Sequence, residues 1–129
     1  MRVFISHAHA DKAFAAQLAD QLRKAKFEPW LDADLGPGEN IGLAVGRALD
    51  RADAMIVLLS PEAIKSNWVM REIDYGLTER RFAGGRLVPV MVRPTKDVPW
   101  ILRELNLIDA TRDSGAGKRV VDALKEARS

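Results

Sequence analysis

The six residues Ala54 to Leu59 are apolar without a break, and the run ends at Ser60-Pro61. A strand with one face in water alternates apolar and polar positions. A run with no polar position fits a strand covered by helices on both faces, as in a parallel α/β sheet. The rest of the chain repeats that logic, because short apolar runs alternate with longer amphipathic stretches. Strands are expected at 3–6, 28–31, 54–59 and 87–92, with a weaker fifth at 107–110. Asp11 is placed to cap a helix running to about Lys24, in which Ala15, Leu18 and Leu22 recur near helical spacing. A second helix carries Ile41, Val45, Ala48, Leu49 and Ala52, a third covers about 68–81, and a last one, about 117–127, aligns Val120, Val121 and Leu124.

Five strands alternating with helices, joined by right-handed crossovers, leave few topologies. We expect an α/β fold with a flavodoxin-like five-stranded parallel sheet of order 2-1-3-4-5 and helices on both faces. In that order the chain reverses between the first and third strands, and a crevice opens at their carboxyl ends. The loops at that rim are 6–11 and 60–67, and the turn-rich segment 32–40 with Gly36-Pro37-Gly38 can fold over it. The 129 residues suit one domain, 1–129, and the start at Met1 with an end soon after the last helix fits an excised N-terminal domain. No Cys is present, which excludes a thiol nucleophile, a Cys-based zinc site and a redox motif, and suits a reducing cytoplasm. The 20 Lys and Arg nearly balance 18 Asp and Glu, so the charge does not call for nucleic acid as a direct partner. No apolar stretch approaches the roughly 20 residues of a membrane span, so no membrane partner is expected.

Trp68 and Glu72 stand four residues apart near the crevice end of the third helix, hence on one face. The core stripe of that helix should be Val69, Ile73 and Leu77, with Glu72 about 100° from its centre and Trp68 further round. An indole beside a carboxylate suits a site that stacks a flat ring and holds hydroxyl groups. The same spacing also describes a partly buried Trp beside a solvated Glu, and spacing does not separate the two. His7-x-His9-x-Asp11 has the spacing of metal ligands, but further donors are missing nearby and Asp11 is read as a cap. No metal site is expected. Asp32 and Asp34 read first as turn residues ahead of the glycines.

Four stations in order carry a resemblance: Phe4-Ile5-Ser6-His7-Ala8 with Asp11-Lys12; Trp30-Leu31-Asp32 running into Leu35-Gly36-Pro37-Gly38-Glu39; Leu59-Ser60-Pro61; and Ser66-Asn67-Trp68 to Glu72. Together they span about residues 2–110, and the chain resembles a TIR (Toll/interleukin receptor) domain of bacterial type. Many such domains cleave NAD+, and the resemblance implies that Glu72 is the catalytic glutamate, with Trp68 near the nicotinamide. It likewise implies substrate contacts from Ser6, His7 and Ala8 after the first strand and from Asp32 and Leu35 in the glycine-rich loop. NAD+ is then the substrate, no separate cofactor is implied, and the product is ADP-ribose or a cyclic isomer. Self-association with other TIR domains, a fused or partner sensor, and a role as an assembly-activated defence effector follow from the same resemblance.

Other occupants of this topology fit poorly. A phosphate-accepting receiver needs acidic residues after the first strand and an Asp ending the third, where this chain has Ser6-His7 and Leu59-Ser60. A nucleotide-binding module of the Rossmann type needs a glycine-rich turn where Ala8-His9-Ala10 stands. The alternative that survives is a non-enzymatic TIR–TIR interaction module, which fold alone does not exclude.

Overall fold

The computed structural model describes residues 1–31, 40–112 and 114–128. In chain order the elements are β1 (Arg2–Ser6), α1 (Lys12–Lys24), β2 (Glu28–Trp30), α2 (Ile41–Arg51), β3 (Ala54–Leu59), α3 (Pro61–Lys65), α4 (Asn67–Thr78), β4 (Leu87–Met91), α5 (Trp100–Arg103), β5 (Ile108–Asp109) and α6 (Ala116–Arg128). The strands form one parallel sheet in the order β2-β1-β3-β4-β5, as expected from the sequence.

β3 occupies its expected span, and every one of its residues is buried. Its side chains alternate between two cores. Ala54, Ile56 and Leu58 join Leu18 and Leu22 of α1 and Val120 and Leu124 of α6 on one face. Met55, Val57 and Leu59 join Val45 and Leu49 of α2 and Val69 and Ile73 of α4 on the other. No membrane-spanning helix is possible among the described residues, since none is long and apolar enough.

Two helices were not expected. Segment 60–67, expected as a loop, contains α3. Ser60 does more than end β3: its hydroxyl accepts the Ala63 N–H at 3.1 Å, and Pro61 stands in the first turn, where its missing N–H costs nothing. α5 is a single turn between β4 and β5, held by Leu102, which is fully buried. The third expected helix is also shorter than read, ending at Thr78 rather than near Arg81. A 3-10 turn at Arg80–Phe82 follows, then Gly84 and Gly85 with φ of 72° and 89°, a left-handed turn into β4 that glycine adopts without strain.

Candidate functional site

The strand order sets the carboxyl ends of β1 and β3 side by side, with Ser6 closing one and Ser60 following the other. α4 starts at this rim. Ser66 caps it by accepting the Val69 N–H at 3.2 Å, which fixes Trp68 in the first turn and Glu72 one turn deeper.

The buried stripe of α4 differs from the expected Val69, Ile73 and Leu77. It runs through Val69, Glu72, Ile73 and Gly76, with Leu77 only partly buried. Glu72 is therefore 6% exposed, while Trp68 stays 39% exposed. Gly76 takes part in the close approach of this face. A Cβ there would stand 2.6 Å from the Met55 sulfur and 2.7 Å from Leu87 Cδ1, both tips of flexible side chains, so glycine lets α4 lie against β3 and β4 without those tips shifting. A carboxylate taken out of water needs hydrogen-bond donors. The Ser6 hydroxyl gives it one, donating to Glu72 Oε1 at 2.6 Å across 66 residues of sequence.

Glu72 lines a cavity of about 190 Å³ between α2 and α4. Trp68 and Arg71 share its α4 wall, and Gly42, Val45, Gly46 and Leu49 form the α2 wall. A Cβ on Gly46 would meet nothing within 4 Å, so this helix position faces open space. Sequence reasoning missed Arg71 and the two glycines. The available signal was Gly42 and Gly46 at i, i+4 on an otherwise amphipathic helix, the pattern of one helix face left bare.

The structure thus joins Glu72 to Ser6 by a hydrogen bond and to Trp68 by a shared cavity. Ser6, His7 and Ala8 are not among the cavity's lining residues. His7 is half-buried, and its Nδ1 is buried with no hydrogen-bond partner. Ala8 packs into the core beside Phe4 and Val45. Asp32 and Leu35, expected to touch substrate, lie outside the described residues, as does Asp34.

Asp11 occupies the position before α1, but its side chain caps nothing. Instead its carboxylate, 2% exposed, accepts the Ser60 hydroxyl at 2.5 Å and Arg93 Nη2 at 2.8 Å. Arg93 also pairs with Glu62 of α3, its Nη1 donating at 3.2 Å and its Nη2 meeting the other oxygen. The Glu62 carboxyl is held below its usual range, first by a backbone N–H donor and then by Arg93. This knot ties the loops after β1, β3 and β4 together. Among the described residues no three His, Cys, Asp or Glu side chains converge as metal ligands do.

Comparison with known proteins places this geometry in context. A family model described as TIR domain matches residues 3–125. A 2' cyclic ADP-D-ribose synthase of Bacteroides thetaiotaomicron, BtTIR, is 35% identical over 97 residues, covering 73% of this chain and 33% of that protein. An NAD(+) hydrolase, TcpA, from a Theionarchaea archaeon (strain DG-70-1) is 32% identical over 88 residues, covering 67% of this chain and 26% of that protein. The chain spans about a third or less of the length of these curated relatives. In fold, it is similar to the TIR domain of a Toll-related receptor, TRR-2, of Hydra magnipapillata, with a TM-score of 0.78 over 98% of both chains at 21% identity.

Proposed function

The chain belongs to the TIR domain family, and on that premise we propose that it is an NAD+ hydrolase that breaks the nicotinamide–ribose bond with Glu72 as its catalytic carboxylate. The observation that carries the reading is the Ser6–Glu72 hydrogen bond at the wall of a cavity shared with Trp68. A carboxylate buried in the core for stability alone has no need of an adjoining cavity with an indole at its mouth.

The chemistry asks little more of the protein. The nicotinamide of NAD+ carries a positive ring nitrogen and leaves as a neutral molecule, so no general acid has to protonate it. As the bond stretches, positive charge moves onto the ribose in an oxocarbenium-like state, as in glycoside hydrolysis. A fixed anion beside that sugar stabilises the transition state more than the ground state. Glu72 would supply the anion, and the Ser6 hydroxyl would hold one of its oxygens so that it need not reorganise. Trp68 would offer the flat face against which nicotinamide stacks. Attack by water gives ADP-ribose; attack by a hydroxyl or ring nitrogen of the same molecule gives a cyclic product. NAD+ enters as substrate, and the step as written calls for no further cofactor.

The cavity holds about 190 Å³, below the roughly 300–1,000 Å³ of pockets that enclose drug-sized ligands. It suits the nicotinamide end, and the remainder of the dinucleotide would extend over the rim. His7, Ala8, Asp32 and Leu35 are the residues we assign there, on the resemblance. A second copy of the domain would complete those walls, and the exposed Ile41 and Leu43 on α2 and Trp100 on α5 supply apolar surface for such self-association. In this reading residues 1–129 act as one TIR domain and one cytoplasmic module of a defence or signalling effector, switched by a fused or partner sensor that brings copies together.

The test is nicotinamide release from NAD+ by concentrated protein under crowding, comparing wild type with Glu72→Gln. Release by wild type alone is expected. Equal release by both removes Glu72 from the mechanism. No release from wild type, even when copies are joined by fusion, leaves the interaction module as the better reading.

A further inference from the structure

A groove of about 380 Å³ lies away from Glu72, between the outer flank of α2 and the β1–β2 edge. Its origin is legible residue by residue. Arg2 and Phe4 point to the same face of β1, and Glu28 and Trp30 to the same face of β2. The helix flank above them presents Ala44 and Ala48, whose short side chains leave the space open. Phe4 supports the Trp30 ring from one side, stacked at 5.2 Å with 13° between planes, so the indole is a braced platform rather than a loose surface residue.

Three guanidinium groups surround this platform. Arg2 is satisfied, pairing with Glu28 at 3.6 Å, which also neutralises the groove's one carboxylate. Arg47 and Arg51, one helical turn apart and both exposed, have no hydrogen bond or ion pair among the described residues. Two unpaired cations and an aromatic plane enclosing a volume at the lower end of ligand-pocket sizes specify a small anion carrying a flat ring. Guanidinium forks match phosphate oxygens two at a time, and nucleobases stack on indoles.

We propose that this groove is a second binding site, for a nucleoside monophosphate, with its base on Trp30 and its phosphate between Arg47 and Arg51. The site stands independently of NAD+ cleavage. It is connected to the first cavity all the same, because α2 walls both: Gly42, Val45, Gly46 and Leu49 face Glu72, and Ala44, Arg47, Ala48 and Arg51 face the groove.

The probe is AMP, titrated calorimetrically into the full chain, with adenosine and inorganic phosphate as partial ligands. AMP is expected to bind one to one, and each fragment about tenfold or more weaker, since each lacks one of the two contacts. Arg47→Ala/Arg51→Ala and Ala48→Leu, which fills the groove, should each weaken AMP about tenfold or more, whereas Trp68→Ala should leave it unchanged. Should Ala48→Leu fail to fold, the double arginine variant decides alone, because both side chains lie in solvent. AMP and adenosine binding alike, full affinity in the arginine variant, or loss in Trp68→Ala would each overturn the proposal. So would displacement of AMP by a glutamate-rich peptide with higher affinity, which would assign the groove to an acidic protein segment.

Discussion

Two buried carboxylates stand at the same rim, each held by the serine at the end of a neighbouring strand. Ser6 after β1 donates to Glu72 at 2.6 Å, and Ser60 after β3 donates to Asp11 at 2.5 Å. The difference lies in what else surrounds them. Asp11 is closed off by Arg93, which also clasps Glu62, so its charge is compensated inside a knot of three loops. Glu72 opens on a cavity beside an indole. A carboxylate that is bonded, charge-paired and walled in works for the fold. One that is bonded to a hydroxyl and borders a cavity is the one we propose for chemistry.

The widest separation between them should appear when each is changed in turn. Glu72→Gln keeps the volume and the hydrogen-bonding capacity, so thermal stability should hold or rise while NAD+ cleavage falls about 10³-fold or more. Asp11→Ala should do the reverse. It strands a buried serine hydroxyl and removes the main partner of Arg93, at a cost of about 2 kcal/mol. The cost stays at the low end because Arg93 is 44% exposed and can turn to water and Glu62. Cleavage per folded molecule should change only a few-fold. Paired melting curves and rate measurements on the two variants check this, and the comparison fails if Asp11→Ala abolishes cleavage with stability intact.

These two regions also mark how far the sequence could be read. The strand order followed from apolar runs and turn residues, because a two-sided strand such as 54–59 has no other place to go. Trp68 and Glu72 were legible as a pair from their spacing. The burial of Glu72 was not, since it depends on how α4 seats against β3 and β4 and on Ser6, contacts made between distant segments. Asp11 illustrates the same limit from the other side. Its position before α1 is what local capping rules describe, but Arg93, 82 residues away, and Ser60 offer stronger partners than a backbone N–H, and the tertiary contacts win. Ser60-Pro61 carries two signals at once, since a capping serine followed by proline starts a helix as readily as it ends a strand.

Ser6→Ala tests the bond at the carboxylate proposed for catalysis. With its hydroxyl gone, Glu72 loses one of the contacts that orient it, and cleavage should fall about tenfold, chiefly in kcat, with KM nearly unchanged. Ser60→Ala makes the equivalent deletion in the other pair and should lower stability by about 1–2 kcal/mol without that split. If the two serine variants behave alike in kinetics and melting, the distinction between the pairs collapses.

The smallest effect concerns the outer edge of the Asp11 knot. Glu62 is solvent-exposed, and its carboxyl is held below the ordinary value of 4.5, first by a backbone N–H and then by the Arg93 guanidinium. A group whose folded value is depressed adds stability that is fully present above its unfolded value and is lost as pH falls through the folded one. Wild type should therefore melt slightly higher than Glu62→Gln near neutrality, and the gap should close on acidification below about 4.5. Added salt should narrow it at neutral pH, because the contact sits in water. A gap that is constant from neutrality into acid would mean that Glu62 contributes through shape rather than charge, and that Arg93 is oriented by Asp11 alone.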